Sequence, residues 1–358
     1  METLRKIAPM ALLGVLPITL TLAVMVLSRS GGSFAFDFHH ELYPQAKLML
    51  SGENPYPPSG SDLSDGTNFV WPPLAVLVAA PLTLLPIGIA DTIATLLVIA
   101  SLGGALWVVG IRDWRIYGVT LLWPPVINAY QTANATLPLC LLCALAWRYR
   151  RRTVLPGLLV GAALAAKFFL WPLVLWLAAI RRYKAAATAA VVAALSLLLI
   201  VPFVSLHDYF SLIANLSRTF DQDTYTIYAL LTEAGVPSEA ARGATLALGG
   251  AILVLAWRRQ SLALAIGAAL ILSPVVWLHF LALLVVPFAL AYPKFNAKWL
   301  LPLPLWLVVG TLNGAWWQTT LTLAVLLSMI VVCERAGVHE AGGPAERAPR
   351  PAARVGTA

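Results

Sequence analysis

Residues 150–184 read RRRTVLPGLLVGAALAAKFFLWPLVLWLAAIRRYK, an apolar run closed at both ends by clustered basic residues. Between Arg152 and Arg181 lie 28 residues. Lys and Arg collect in cytoplasmic loops, so both clusters are expected on that side, and the run must go out and return within this length. Each pass then has about 14 residues, or roughly 21 Å of helix at 1.5 Å per residue, against a hydrocarbon core of about 30 Å. Neither pass reaches the far surface. The turn between them must line a cavity, because irregular backbone is not tolerated against lipid. Lys167, the one charged residue between the clusters, falls at that turn.

The pattern recurs along the chain. Further basic groups stand at Arg112/Arg115, Arg148, Arg258/Arg259, Lys294/Lys298 and from Arg335 onward. Assigned to the cytoplasm, they predict an all-α polytopic membrane protein of about twelve transmembrane helices, N-in and C-in. The first outer loop is expected at about 29–68 and the second at about 204–242. The membrane domain would cover 1–333, followed by a disordered cytoplasmic tail at 334–358 rich in Ala, Pro, Gly and Arg. Arg5 and Lys6 precede an apolar stretch too long for a cleaved signal peptide, so a retained first span is expected. Residues 72–86 (PPLAVLVAAPLTLLP) are short and proline-broken, which suits a re-entrant or interfacial helix. Other expected outer turns are YQTAN (130–134), SPVVWLHF (273–280) and NGAWWQ (313–318). Polar side chains recur wherever this topology places a recess.

Composition agrees. The chain is 60% hydrophobic and 11% charged, whereas soluble chains run near a quarter charged. The net charge of +8 comes from basic groups flanking apolar segments and indicates topology, not nucleic-acid binding. Cys140, Cys143 and Cys333 lie in or at the end of apolar runs and offer no disulfide framework; the CxxC gives no metal or redox site in that setting.

The first outer loop holds FDFHHELYPQAKLMLSGENPYPPSG (36–60) and TNFVWPP (67–73). Residues 38–50 fit a short amphipathic helix on the membrane surface, with Leu42, Ala46 and Met49 or Leu50 on its apolar side. Asp37 precedes it, as a helix cap, as a general base at the mouth of the recess, or as both. Lys167 is expensive within an apolar run and therefore marks a functional site with an anionic partner, here a lipid phosphate; snorkelling is the alternative. His279 is either a satisfied structural histidine or, at a depth similar to Lys167, a phosphate contact. Gln131 and Asn134 either hydrogen-bond sugar hydroxyls or cap their turn. Asp221-Gln222-Asp223 imitates a metal-binding DxD, but two carboxylates in an outer loop fit a solvated turn better. His39, His40 and Glu41 are adjacent on a helix and diverge, so no zinc site is expected.

Several of these pieces together resemble glycosyltransferase family 87, polyprenol-phosphate-mannose-dependent members of the GT-C superfamily. The residues are Asp37, Tyr43, Gly52, Pro55, Tyr56 and Trp71-Pro72-Pro73, then Gln131 with Asn134, Lys167 before Trp171-Pro172, and Ser273-Pro274 with Trp277 and His279. The resemblance covers about residues 35–290. It implies a GT-C-like bundle and a metal-independent, inverting transfer needing no cofactor. The donor would be a polyprenyl-phosphate sugar, mannose or arabinofuranose, and the acceptor a lipid or glycan. Asp37 would be the base; Lys167 and His279 would meet the donor phosphate. His40, Tyr43, Tyr56, Gln131, Asn134 and Trp277 would surround sugar and acceptor. In the family the acidic residue commonly stands closer to its Tyr, which keeps Glu41 and His39 open as the aligned residue. The implied setting is a multi-pass protein of a bacterial plasma membrane with its site facing outside. A secondary transporter or flippase is the rival reading; it would favour repeated halves and a mid-depth site, and the sequence has no repeat.

Overall fold

The computed structural model describes residues 9–58, 60–64, 66–220, 223–309 and 315–337. All regular structure among them is helical. Four helices are long and apolar enough to cross a membrane: α1 (Ala11–Ser30), α4 (Ile87–Val108), α13 (Ser238–Arg259) and α16 (Trp316–Arg335). A fifth span arises if α6 (Pro124–Gln131) and α7 (Thr136–Arg148), bent by 115° at their break, count as one. The chain is thus a polytopic membrane protein. Between these helices run α2 (Tyr43–Leu50), α3 (Leu74–Leu84), α5 (Trp114–Leu121), α8 (Leu155–Ala166), α9 (Pro172–Ala179), α10 (Tyr183–Leu198), α11 (Leu206–Thr219), α12 (Ile227–Glu233), α14 (Leu262–Leu272) and α15 (Val285–Ala291). Residues 338–358 of the expected tail, Asp221 of the DxD imitation and Asn313–Gly314 of one expected turn lie outside the described residues.

The stretch that opens the argument folds as two short helices. α8 ends at Ala166, Lys167 is extended (φ −149°, ψ 111°), a 3-10 turn covers Phe168–Leu170, and α9 begins at Pro172. Two more breaks resemble it. α6 and α7 are parted by residues 132–135, and α14 leads through extended Ser273 to the 3-10 turn Leu278–Leu284 before α15. In two of them prolines sit at helix starts (Pro124, Pro156 and Pro172), where a missing N–H costs nothing, and Pro274 lies within the third break.

Close packing makes the short helices possible. Gly157 and Gly161, four apart on α8, face α10; a Cβ on Gly157 would lie 2.2 Å from the Ala185 carbonyl oxygen, and one on Gly161 2.6 Å from Val192 Cβ. This is the small-residue contact by which membrane helices approach without a hydrophobic drive. The basic-flanked loops meet one another at one end of the bundle: Arg115 lies over the Phe295 ring, Arg259 pairs with Glu334 at 3.4 Å, and Gln260 donates to the Ala179 carbonyl.

Two apolar cores result. The larger joins α4–α10 with α13–α16. The smaller gathers the 34–46 segment, Tyr56, Leu63, Phe69, Trp71, α3, the start of α4, Ile200, and Tyr209 and Leu212 of α11. The 38–50 helix departs from expectation in two ways. Its apolar side packs on α3, with Tyr43 Oη donating to the Leu85 carbonyl at 2.8 Å, so protein covers Leu42, Tyr43 and Ala46 while Leu50 stays exposed. Asp37 lies within the first helical turn, Asp37–Leu42, and caps nothing, because its carboxylate is turned elsewhere.

Candidate active site

A cavity of about 840 Å³ lies between the two cores. The breaks at 131–134, 166–169 and 272–280 converge on it, and the 36–41 and 63–72 segments together with α11 complete the wall. Asp37, Glu41, Gln131, Asn134, Lys167, Trp277 and His279 all line it.

Asp37 is seated on the α6–α7 break. Its backbone N–H and that of Phe38 donate to the Thr132 carbonyl at 3.0 and 3.4 Å, and Ala35 N–H donates to the Gln131 carbonyl at 2.7 Å. Asn134 Nδ2–H donates to its carboxylate, while Asn134 Oδ1 accepts from the N–H and hydroxyl of Thr136 at 2.9 and 2.7 Å. Ala35 and Ala133, one on each side of this seam, have left-handed φ of 55° and 51°, a conformation uncommon outside glycine. Burial raises the Asp37 carboxyl above the ordinary carboxylate range, opposed by the Asn134 hydrogen bond and the Lys167 charge. Glu41, one turn on, is raised as well, by burial and by the charge of Asp37, opposed by the Lys167 charge and the Trp71 hydrogen bond.

The cation is held differently. Lys167 Nζ sits 4.0 Å from the centre of the Trp71 ring and 4.4 Å from that of Phe280, a cation–π cage. Among the described residues no carboxylate lies within ion-pair distance of it. The Trp71 indole is used twice, because its Nε1–H donates to Glu41 Oε2. His279 is buried; its Nδ1 lies 2.9 Å from Asn128 Oδ1, and its Nε2 has no partner.

The remaining expected residues divide. Gln131 reaches Ser33 Oγ at 3.3 Å, and Trp277 packs edge-on against Phe220 at 5.2 Å; both stay on the cavity wall. His40, Tyr43 and Tyr56 lie outside the lining. His40 packs tilted against Phe36 and edge-on against His39, Tyr43 reaches Leu85, and Tyr56 Oη donates to the Trp71 carbonyl at 3.2 Å. His39 Nδ1 meets Asp91 Oδ2 of α4 at 2.8 Å, tying the first loop to a membrane helix. Trp71, Phe280 and Asn128 are neighbours that sequence reasoning did not single out for the site; the W-P-P motif was the one visible signal for Trp71.

The arrangement sets two buried carboxylates and an ammonium outside ion-pair distance of either on one cavity, with amide and hydroxyl groups along the same wall. Such a site suits proton removal from a hydroxyl beside a departing anion. A model of the family described as Glycosyltransferase family 87 matches residues 69–287. That range holds Lys167, His279, Gln131, Asn134 and Trp277 and starts after Asp37 and Glu41. The polyprenol-phosphate-mannose-dependent alpha-(1-2)-phosphatidylinositol pentamannoside mannosyltransferase of Mycolicibacterium smegmatis (strain ATCC 700084 / mc(2)155) is 28% identical, covering 79% of this chain and 69% of its own. No solved structure matches.

Proposed function

The chain belongs to glycosyltransferase family 87, and from that premise we propose that it moves a hexosyl residue, mannosyl first among the candidates, from a polyprenyl-phosphate sugar to a lipid or glycan acceptor. The cavity would open on the extracytoplasmic face of a bacterial plasma membrane, with the first and second loops at about 29–68 and 204–242 over it. One observation carries this reading: Asp37 and Lys167 face the same cavity, the first fixed by hydrogen bonds and the second with its N–H donors uncommitted.

In this mechanism the acceptor hydroxyl gives its proton to Asp37 and its oxygen attacks the anomeric carbon. The bond from that carbon to the phosphate oxygen breaks with inversion, and its electron pair goes to the phosphate. Charge grows on the leaving phosphate in the transition state, so a preorganised cation there lowers the barrier. Lys167 supplies it. His279 adds a second contact through Nε2, which has no partner within the protein. Gln131, Asn134 and Trp277 hold sugar or acceptor. Asp37 is preferred to Glu41 as base because Asn134 seats its carboxylate at the α6–α7 break, whereas the Glu41 carboxylate is already taken by the Trp71 indole N–H.

The test is transfer from radiolabelled polyprenyl-phosphate mannose to endogenous lipids in membranes containing the chain. Label in a new glycolipid supports the reading. Transfer from a polyprenyl-phosphate pentose alone would keep the mechanism and change the sugar. No transfer from any polyprenyl-phosphate sugar would overturn it in favour of transport.

A further inference from the structure

Trp71 stands between Lys167, the only lysine or arginine of the cavity lining among the described residues, and Glu41, one of the two carboxylates on that wall. Its ring face carries the Lys167 ammonium and its Nε1–H holds Glu41. We propose that Trp71 is a positioning residue: by occupying Glu41 with its edge and Lys167 with its face, it keeps the two from pairing and leaves the ammonium free for the donor phosphate. This rests on the reading that Lys167 meets that phosphate.

The physical case begins with what the pocket would do without it. Opposite charges sharing a water-poor wall attract strongly, and a carboxylate that reached Lys167 would take up its N–H donors. A ring face attracts the ammonium as a charge placed over it and supplies no acceptor atom to take up an N–H. A carboxylate, by contrast, is satisfied directionally, and the indole N–H gives Glu41 such a bond. Trp is the side chain that offers both a strong face and a donor edge.

The indole is itself pinned. Tyr56 Oη donates to the Trp71 carbonyl at 3.2 Å and Tyr209 Oη to the Val70 carbonyl at 3.3 Å. Pro72 and Pro73 follow, and Trp71 is 6% exposed. The W-P-P and P-Y elements of the sequence thus act together, with Tyr56 supporting the tryptophan and not touching the cavity. Phe280 closes the other face of the cage but has no donor, so it can seat the cation and cannot hold Glu41.

The experiment measures the dissociation constant of polyprenyl-phosphate mannose for the full chain in nanodiscs, which is independent of turnover. Trp71→Phe keeps a ring and deletes the N–H. The expected result is about tenfold weaker donor binding, the scale of one charge-assisted contact, with recovery in Trp71→Phe/Glu41→Gln, because the amide cannot form the competing ion pair. A purely structural tryptophan would not be rescued at a second carboxylate. Unchanged affinity in Trp71→Phe, or a loss that Glu41→Gln leaves in place, overturns the inference. Lys167→Ala separates the levels: if it leaves donor affinity unchanged, the phosphate reading falls and the inference with it; if it weakens binding while Trp71→Phe does not, only the inference falls. Should Trp71→Phe not fold, Trp71→Leu, which likewise has no donor, with and without Glu41→Gln carries the same rescue comparison.

Discussion

The two charged ends of the cavity are built by opposite means. Asp37 is fixed by directional bonds: its own N–H and its neighbours' to the 131–132 carbonyls, and its carboxylate to Asn134, between two left-handed alanines. Lys167 is held on two ring faces at the end of a long side chain, at a single extended residue between helices. A general base must present one lone pair to one hydroxyl, and small misplacements cost heavily. A counter-charge to a phosphate needs proximity and a free hydrogen-bonding capacity. The wall is rigid where angle matters and permissive where charge matters.

Isosteric and homologous changes should break that contrast most severely at the proposed base. Asp37→Asn keeps the shape and removes the proton acceptor; transfer should fall about 10²- to 10⁴-fold while donor binding stays within a few-fold, measured by turnover alongside the nanodisc titration. Asp37→Glu should fare little better, because the added methylene displaces the carboxylate from a seat with no slack. Turnover surviving in Asp37→Asn would reassign the base to Glu41.

Lys167 should tolerate its homologue. Lys167→Arg keeps the charge and stacks on aromatic faces, so transfer should drop by about tenfold or less, whereas Lys167→Ala should lose about 10² to 10³, the cost of one preorganised electrostatic group. An arginine variant as dead as the alanine would mean that the site demands a directional ammonium bond, and the contrast between the two ends would collapse.

The same contrast explains what the sequence disclosed. Lys167 was legible because apolar length set against bilayer thickness forces a turn there, and Asp37 because a carboxylate in a polar loop before an apolar helix has few uses. Three of the expected turns emerged as breaks on one cavity for the same reason of length. The cage was not legible: Trp71, Lys167 and Phe280 are far apart in sequence, and a cation–π contact has no spacing rule. Nor was the α8–α10 contact singled out, although Gly157 and Gly161 carry the G-x-x-x-G spacing. Tyr56 illustrates the limit of motif reading, since its hydroxyl serves the Trp71 backbone and not the cavity. Asp37 failed as a cap because Asn134, 97 residues away, takes its side chain, a long-range choice that local propensity does not encode.

The smallest effect should be the most specific. Asn134→Ser retains a short oxygen beside Thr136 and removes the amide that stabilises the Asp37 carboxylate. Burial already raises that carboxyl, and the lost hydrogen bond was opposing the rise, so the group should hold its proton to still higher pH. A base works only when deprotonated, so the acid limb of kcat/KM moves to higher pH, with a few-fold loss on the acid side and a nearly unchanged plateau. The profile is measured from the acid limb to the plateau with saturating acceptor. A shift toward lower pH would show that Asn134 steadies the protonated acid, and Asp37 would then donate to the substrate where it is now read as accepting from it. A uniform loss at every pH would reduce Asn134 to a strut for the seam, leaving the carboxylate to be tuned by burial and Lys167 alone.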